Sequence, residues 1–202
     1  MSGTDQNAFQ LMLTRRSIRR FKQDSLSPDI LTRMVNVAHW APSGANLQPL
    51  EFLVVTSADV CEVVFSSLAW AAYISPAGTP PQGQRPVAYV VVLVNTSVRK
   101  DNYQYDVGAA MQSMILAAWE SGIGACWIGS INKAQLSEAL KVPSGYVIEA
   151  VLAAGYPAEQ PVVEAFDKDC KYWKDPQGVL HVPKRALDQV MHINRFGISG
   201  GL

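Results

Sequence analysis

The chain has 202 residues, 49% apolar and 17% charged, and its 17 Lys and Arg balance its 17 Asp and Glu. That apolar content suffices for a sizeable core and excludes a disordered chain, and the length fits a single domain over 1–202 with an extended C-terminal segment over 157–202. Zero net charge lacks the basic excess of a duplex-binding protein, which excludes nucleic acid as the main partner; so lightly charged a surface favours an oligomer that hides apolar area.

In chain order, Ser27-Pro28-Asp29 is a helix start, with Ser as N-cap and Pro in the first turn. Apolar residues at helical spacing carry that helix to Trp40, and Pro42 stops it. Glu51–Thr56 reads as a strand and Ala58–Tyr73 as a helix, followed by a Pro- and Gly-rich connection or lid from Ile74 to Pro86. Val87–Val94 is a continuous β-branched run, the pattern of a strand buried on both faces. Asp101–Ser121 reads as a long helix closed by Gly122. A short strand over Ala125–Ile128 precedes a helix opened by Asn132 and Gln135, and Tyr146–Gly155 is a further central strand. Beyond Pro157 an extended polar stretch runs to Lys184, with a short helix expected over Ala186–Asn194. The order fits an α+β or α/β sandwich around one sheet.

No segment reaches bilayer length: Val107–Trp119, the most apolar, is short and carries Gln112 and Ser113. The first ten residues have neither a basic start nor an apolar signal core, so a cytoplasmic location away from membranes is expected. Cys61, Cys126 and Cys170 are scattered, as are His39, His181 and His192, which argues against a disulfide framework and a metal site.

Three segments carry chemistry. In Arg15-Arg16-Ser17-Ile18-Arg19-Arg20-Phe21-Lys22, five of eight residues are basic. Such a run is often only a solvated face, yet Arg forks beside a Ser hydroxyl also suit a phosphate. Ala41-Pro42-Ser43-Gly44-Ala45-Asn46-Leu47-Gln48-Pro49 has the composition of an ordinary loop; its amides can also read the edge of a heterocycle, because each offers a donor and an acceptor. Gly122-Ile123-Gly124-Ala125-Cys126-Trp127-Ile128-Gly129-Ser130 begins like a dinucleotide fingerprint but follows a helix and has Trp127 in place of the third glycine. Gly122 and Gly124 then belong to a tight connection, while Gly129 and Ser130 end a strand where backbone N–H groups can meet a ligand. Gly197-Ile198-Ser199-Gly200-Gly201 matches a nucleophile-elbow pattern without its strand and helix and reads as a tail. His39 reads as a packing or capping residue and Cys126 as a small buried one.

Together, RRSIRRF, APSGANLQPLEF and GIGACWIGS in this order resemble the nitroreductase family of FMN-dependent NAD(P)H oxidoreductases, and HVPKRALDQV near the C-terminus is also similar. The resemblance implies a nitroreductase-like α+β fold, its central sheet of mixed, mainly antiparallel strands flanked by helices in a dimeric sandwich. It implies a homodimer with FMN sites at the subunit interface, each built from both chains. Arg15, Ser17 and Arg19, with Arg16 adjacent, match the first flavin-binding motif, Arg15 toward the phosphate and Arg19 toward the pyrimidine. Pro42, Ser43, Ala45, Asn46 and Gln48 match the segment laid against the flavin by the second subunit. Trp127, Ile128, Gly129 and Ser130 match the strand end facing the isoalloxazine, with a backbone N–H near Gly129 approaching N5. Lys184 and Arg185 match the basic pair that closes on the phosphate.

The chain departs from some members in having no Lys, Arg or Asn over Val60–Gln84, where they grip the pyrimidine, and groups from Trp70 to Tyr73 or backbone are the candidates to replace them. The implied reaction is ping-pong: NADH or NADPH as co-substrate passes hydride to flavin N5, and a nitroaromatic, quinone or similar small acceptor then takes the electrons, with no catalytic side chain required. Alternatives are reductive dehalogenation or flavin fragmentation on the same fold, or a flavin-binding module without turnover.

Overall fold

The computed structural model describes residues 8–198, so Ser199, Gly200 and Gly201 of the elbow-like tail lie outside the described residues. Its main sheet has four strands in the order β1-β2-β4-β3, where β1 is Leu50–Val55, β2 Ala88–Asn95, β3 Gly124–Ile128 and β4 Tyr146–Gly155. Each pairing in it is antiparallel. β2 is buried along almost its whole length, as its β-branched run predicts. The two faces of the sheet bury two separate cores. Val90, Val92 and Val94 with Ala150, Leu152 and Ala154 pack under α2 (Pro28–His39) and α4 (Gln104–Glu120). Tyr89, Val91 and Leu93 with Val151 and Ala153 meet α3 (Ala58–Ser66) and α5 (Lys133–Ala139). The period-two alternation along β2 thus feeds both layers.

Local signals place these helices. The Ser27 hydroxyl accepts from the Ile30 N–H at 3.4 Å, Pro28 takes the first turn, and α2 ends two residues before Ala41-Pro42. At α5 the Asn132 side chain accepts from the Gln135 N–H at 3.3 Å. A short helix, α1 (Ala8–Thr14), precedes the basic segment and has no counterpart in the sequence reading.

Two boundaries differ from expectation, each for a local reason. The predicted helix to Tyr73 stops at Ser66, because Ser67 turns its hydroxyl back onto the Val63 carbonyl and the chain leaves to pair Leu68 with Ile131. The long helix starts at Gln104 rather than Asp101, since Asn102 sits at φ 55°, outside helical space. The helix expected over 186–194 is reduced to a 3₁₀ turn at Leu187–Gln189; Leu187 and Val190 are exposed and offer no packed stripe to extend it.

The C-terminal segment folds into a second, three-stranded sheet, β5-β7-β6, with β5 Val162–Ala165, β6 Trp173–Lys174 and β7 Leu180–Lys184. Here β5 and β7 run parallel, whereas the central sheet, expected to be mixed and mainly antiparallel, pairs its four strands antiparallel throughout. Among the described residues no helix is long and apolar enough to cross a membrane.

Candidate functional site

The basic segment is stapled along the edge of β3. Ser17 bridges Ala125 in parallel fashion, the Ile18 N–H donates to the Ala125 carbonyl at 3.0 Å, and the Ala158 N–H donates to the Arg20 carbonyl at 2.8 Å. Ile18 and Phe21 are buried beneath it. Two glycines make that approach possible: a Cβ on Gly124 would lie 2.8 Å from Ile18, and one on Gly155 would lie 3.0 Å from Phe21. Gly124 is therefore more than part of a tight connection.

This staple divides the arginines. Arg16 donates to the carbonyls of Leu13 and Arg15, and Arg20 to those of Ala77 and Gly78, so both are spent on the fold. Burial lowers the pKa of each, helped for Arg16 by the adjacent Arg15. Arg15 and Arg19 instead act on the Cys126 thiol, whose pKa burial nonetheless pushes up. Glu159 accepts from the backbone N–H groups of Arg19 and Arg20. Among the described residues none of the four arginines forms a side-chain ion pair, and the Nε of Arg15 is buried without a partner. Glu159 is the one carboxylate among the described residues that acts on Arg20, raising its pKa against burial, and a single acid against four arginines leaves room for an added anion.

Beside this cluster lies a cavity of about 220 Å³ lined by Arg19, Trp127, Ile128, Gly129 and Ser130, together with Trp70 and Tyr172. The structure thus brings Arg19 of the first segment to the third, while Arg15, Arg16 and Ser17 are outside the lining of this cavity. Nothing lies within 4 Å of the position a Gly129 Cβ would take, so the strand end opens onto free space. The Arg19 guanidinium stands 5.1 Å over the Tyr172 ring, which also packs on Tyr73 at 5.0 Å. Lys174, two residues on, is held below its ordinary pKa by burial and by Arg20 and Arg19.

The second segment lies elsewhere. Pro42, Ser43 and Gln48 line a cavity of about 880 Å³ between α2 and β1, while Ala45 and Asn46 are exposed. Ala45, Asn46 and Gln48 all have positive φ, near 51–55°. The loop is held by the Ser43 hydroxyl, which accepts from the Gln48 N–H at 3.0 Å, and by Asp106, which accepts from the Gly44 N–H at 2.9 Å and from Arg99 at 2.9 Å. β1 and β3 are separated by two strands, about 14 Å at normal spacing, so the two segments occupy opposite edges of the sheet. Lys184 and Arg185 are exposed at the end of β7; Lys184 pairs with Ala165, and Arg185 donates to the Gln189 carbonyl at 2.6 Å. They are outside the lining of either cavity.

Sequence reasoning missed Tyr172, Glu159 and Asp106. The first two come from the polar C-terminal stretch and reach the site only through tertiary pairing. Asp106 had a visible signal, an acid on the flank of an otherwise apolar helix, but that pattern is also an ordinary helix start. Cys126 is buried as expected, and His39 packs edge-on against Trp40 at 5.6 Å.

Comparison with known proteins places the chain by family and fold. A provisionally named NADH dehydrogenase/NAD(P)H nitroreductase of Archaeoglobus fulgidus is 28% identical over 173 residues, covering 81% of this chain and 93% of that protein. A provisionally named nitroreductase from Desulfovibrio desulfuricans, solved in complex with FMN, superposes with TM-score 0.67 at 28% identity over 82% of this chain and 94% of its own. The 5,6-dimethylbenzimidazole synthase of Rhodospirillum rubrum is 24% identical over 173 residues, 74% of this chain and 82% of that protein. The sequence profile of the nitroreductase family matches residues 12–156, and the chain belongs to that family of flavin oxidoreductases.

Proposed function

We propose that the chain is an FMN-dependent oxidoreductase, a homodimer whose two flavin sites each combine the Arg19 cavity of one subunit with the 42–48 loop of the other. The observation that carries the reading is the cavity in which Arg19, without a side-chain ion pair, faces the Gly129 strand end, on the same segment as the buried, unpartnered Nε of Arg15. The residues fit the cofactor: the orphaned Nε of Arg15 suits a phosphate, and the apolar walls from Trp70, Trp127 and Tyr172 suit a flat ring. When bound, FMN would supply hydride acceptance from NADH or NADPH and electron delivery to a nitroaromatic, quinone or similar small acceptor.

Arg15 would hold the phosphate, assisted by Ser17, with Lys184 and Arg185 closing from the C-terminal sheet. Arg19 would place positive charge at the ring's pyrimidine end, favouring negative charge there. Trp127, Ile128, Gly129 and Ser130 would support the ring's central edge. A cavity of 220 Å³ is smaller than cofactor sites usually are, which supports a second subunit supplying Pro42, Ser43, Ala45, Asn46 and Gln48. One slot then serves donor and acceptor in turn, hence ping-pong turnover.

The test is the absorbance spectrum of the purified protein, identification of the released flavin, and NADH and NADPH oxidation with a quinone and a nitroarene. Bound FMN, turnover and parallel double-reciprocal lines are expected; a colourless protein that takes up no FMN overturns the reading. A second reading is favoured by the likeness to 5,6-dimethylbenzimidazole synthase. That product keeps the dimethylated benzene ring and adjacent nitrogens of an isoalloxazine, so flavin fragmentation is the alternative reaction. Loss of flavin absorbance in air, with a benzimidazole among the products, would favour it.

A further inference from the structure

Trp70, in the wall of the cavity beside Arg19, carries a donor with nothing to donate to. Trp70 is 6% exposed, and its indole N–H is buried without a hydrogen-bond partner among the described residues. Its position follows from the backbone. After α3 the chain runs antiparallel to the segment beyond β3: the Asn132 N–H donates to the Ser67 carbonyl at 2.8 Å, Leu68 bridges Ile131, and the Ala69 N–H donates to the Ser130 carbonyl at 3.0 Å. Continuing that register sets Trp70 against Gly129, the strand end that opens onto free space. Ala71 then turns the chain away at φ 36°. The ring is fixed from behind by Phe65, with centroids 5.6 Å apart.

A fold that buries an indole N–H without a partner forgoes a hydrogen bond it has already desolvated. Elsewhere such a group finds a carbonyl or a water. Here the chain supplies no Lys, Arg or Asn from Val60 to Gln84 to serve a ligand in the same cavity. We propose that Trp70 is a ligand-binding residue whose indole N–H donates to an acceptor atom on the polar edge of the flavin ring, beside Gly129 and Arg19. The inference rests on the flavin reading above and goes beyond it in assigning the ring contact to this side chain.

The test uses the full-length protein stripped of flavin, in three forms: parent, Trp70→Phe, and one in which Trp70 is replaced by its benzothienyl isostere, which keeps the bicyclic shape and lacks the N–H. Two readouts are taken: the melting temperature without flavin, and the Kd for FMN and for riboflavin by fluorescence quenching. Removing an orphaned donor leaves the flavin-free melting temperature of the isostere unchanged or higher. Its affinity for FMN and riboflavin falls by the same factor, roughly two- to tenfold, because the contact is to the ring that both share. Unchanged affinities for both flavins overturn the proposal. So does a lower flavin-free melting temperature in the isostere, which would give the N–H a partner within the protein. If the parent itself binds neither flavin, the cofactor reading fails and this one with it. Parent binding with an unaffected isostere removes the Trp70 assignment alone.

Discussion

Asp106→Ala is the sharpest structural perturbation available at the 42–48 loop. The carboxylate is 4% exposed and holds two partners at once, the Gly44 N–H at 2.9 Å and the Arg99 guanidinium at 2.9 Å. Removing one member of a buried pair costs about 3–5 kcal/mol, mostly through the charge left behind. The Arg99 side chain retains 18% exposure and can recover some hydration, so the lower end, about 3 kcal/mol, is expected. In a chain of this size that lowers Tm by about 6–12 °C. Asp106→Asn keeps an oxygen for Gly44 while losing the charge toward Arg99, and should cost about 1–2 kcal/mol. Urea unfolding of Asp106→Ala, Arg99→Ala and the double variant closes a cycle. The pair should couple by more than about 1 kcal/mol. Single variants each costing less than about 1 kcal/mol, or an additive cycle, would refute the view that this buried pair holds the loop.

Arg15→Ala should weaken FMN by roughly ten- to a hundredfold and riboflavin far less, since only FMN carries a phosphate; equal losses in a titration of both would remove Arg15 from the phosphate. Gly124→Ala forces a Cβ to 2.8 Å from Ile18 and should cost about 1–3 kcal/mol in urea unfolding, because the nearest atoms are the Ile18 Cβ and its two branches rather than a flexible tip; parent-like stability would mean the basic segment does not lie on β3. His181 is stacked on Trp173 at 4.2 Å, with Glu164 3.0 Å from one ring nitrogen and Asp175 3.3 Å from the other. Burial pushes its pKa down, but the hydrogen bonds to Asp175 and Glu164 outweigh this and hold it above the ordinary 6.5. The clamp on the C-terminal sheet is therefore complete below about pH 6.5 and weakens as pH rises through the folded pKa. Hydrogen exchange over residues 162–184 should quicken with pH in the parent beyond the intrinsic rate, and His181→Gln should abolish that excess. A homodimer is expected by light scattering at micromolar concentration; a monomer with FMN bound would refute the shared site.

What the sequence disclosed was whatever local chemistry decides. β2 is a continuous apolar run, β4 is one apart from Glu149, and α2 carries its own cap and stop, so these elements need no tertiary information. The stretch after α3 misled because its apolar residues, Leu68 to Trp70, read as more helix, whereas they serve a bridge to Ile131 and the wall of a cavity. The basic run suggested an anion site but gave no sign of what supports its backbone. Glu159, which accepts from the Arg19 N–H, stands 140 residues away, and Tyr172 arrives just ahead of β6, in a small sheet that periodicity does not reveal.

The distribution of partners within the basic run also decides what the Pro- and Gly-rich connection can do. A run with five positive charges in eight residues suggests one patch, yet the charges do separate work. Arg20 reaches the carbonyls of Ala77 and Gly78, the Phe21 N–H donates to the Gln84 carbonyl at 3.0 Å, and the Gln23 amide donates to the Arg85 carbonyl at 3.0 Å. The connection expected as a lid is therefore bound at both ends to the strand-like segment that carries Arg15 and Arg19. Arg20 has no carboxylate partner there, so its charge serves as a hydrogen-bond donor to backbone whose own amides are few, prolines having none. Any displacement of the connection would drag the backbone between Arg19 and Phe21, and with it the guanidinium beside the cavity. The connection and the basic segment are thus one mechanical unit, and a change in loop length should be felt at Arg19 before it is felt at the strand end of Gly129.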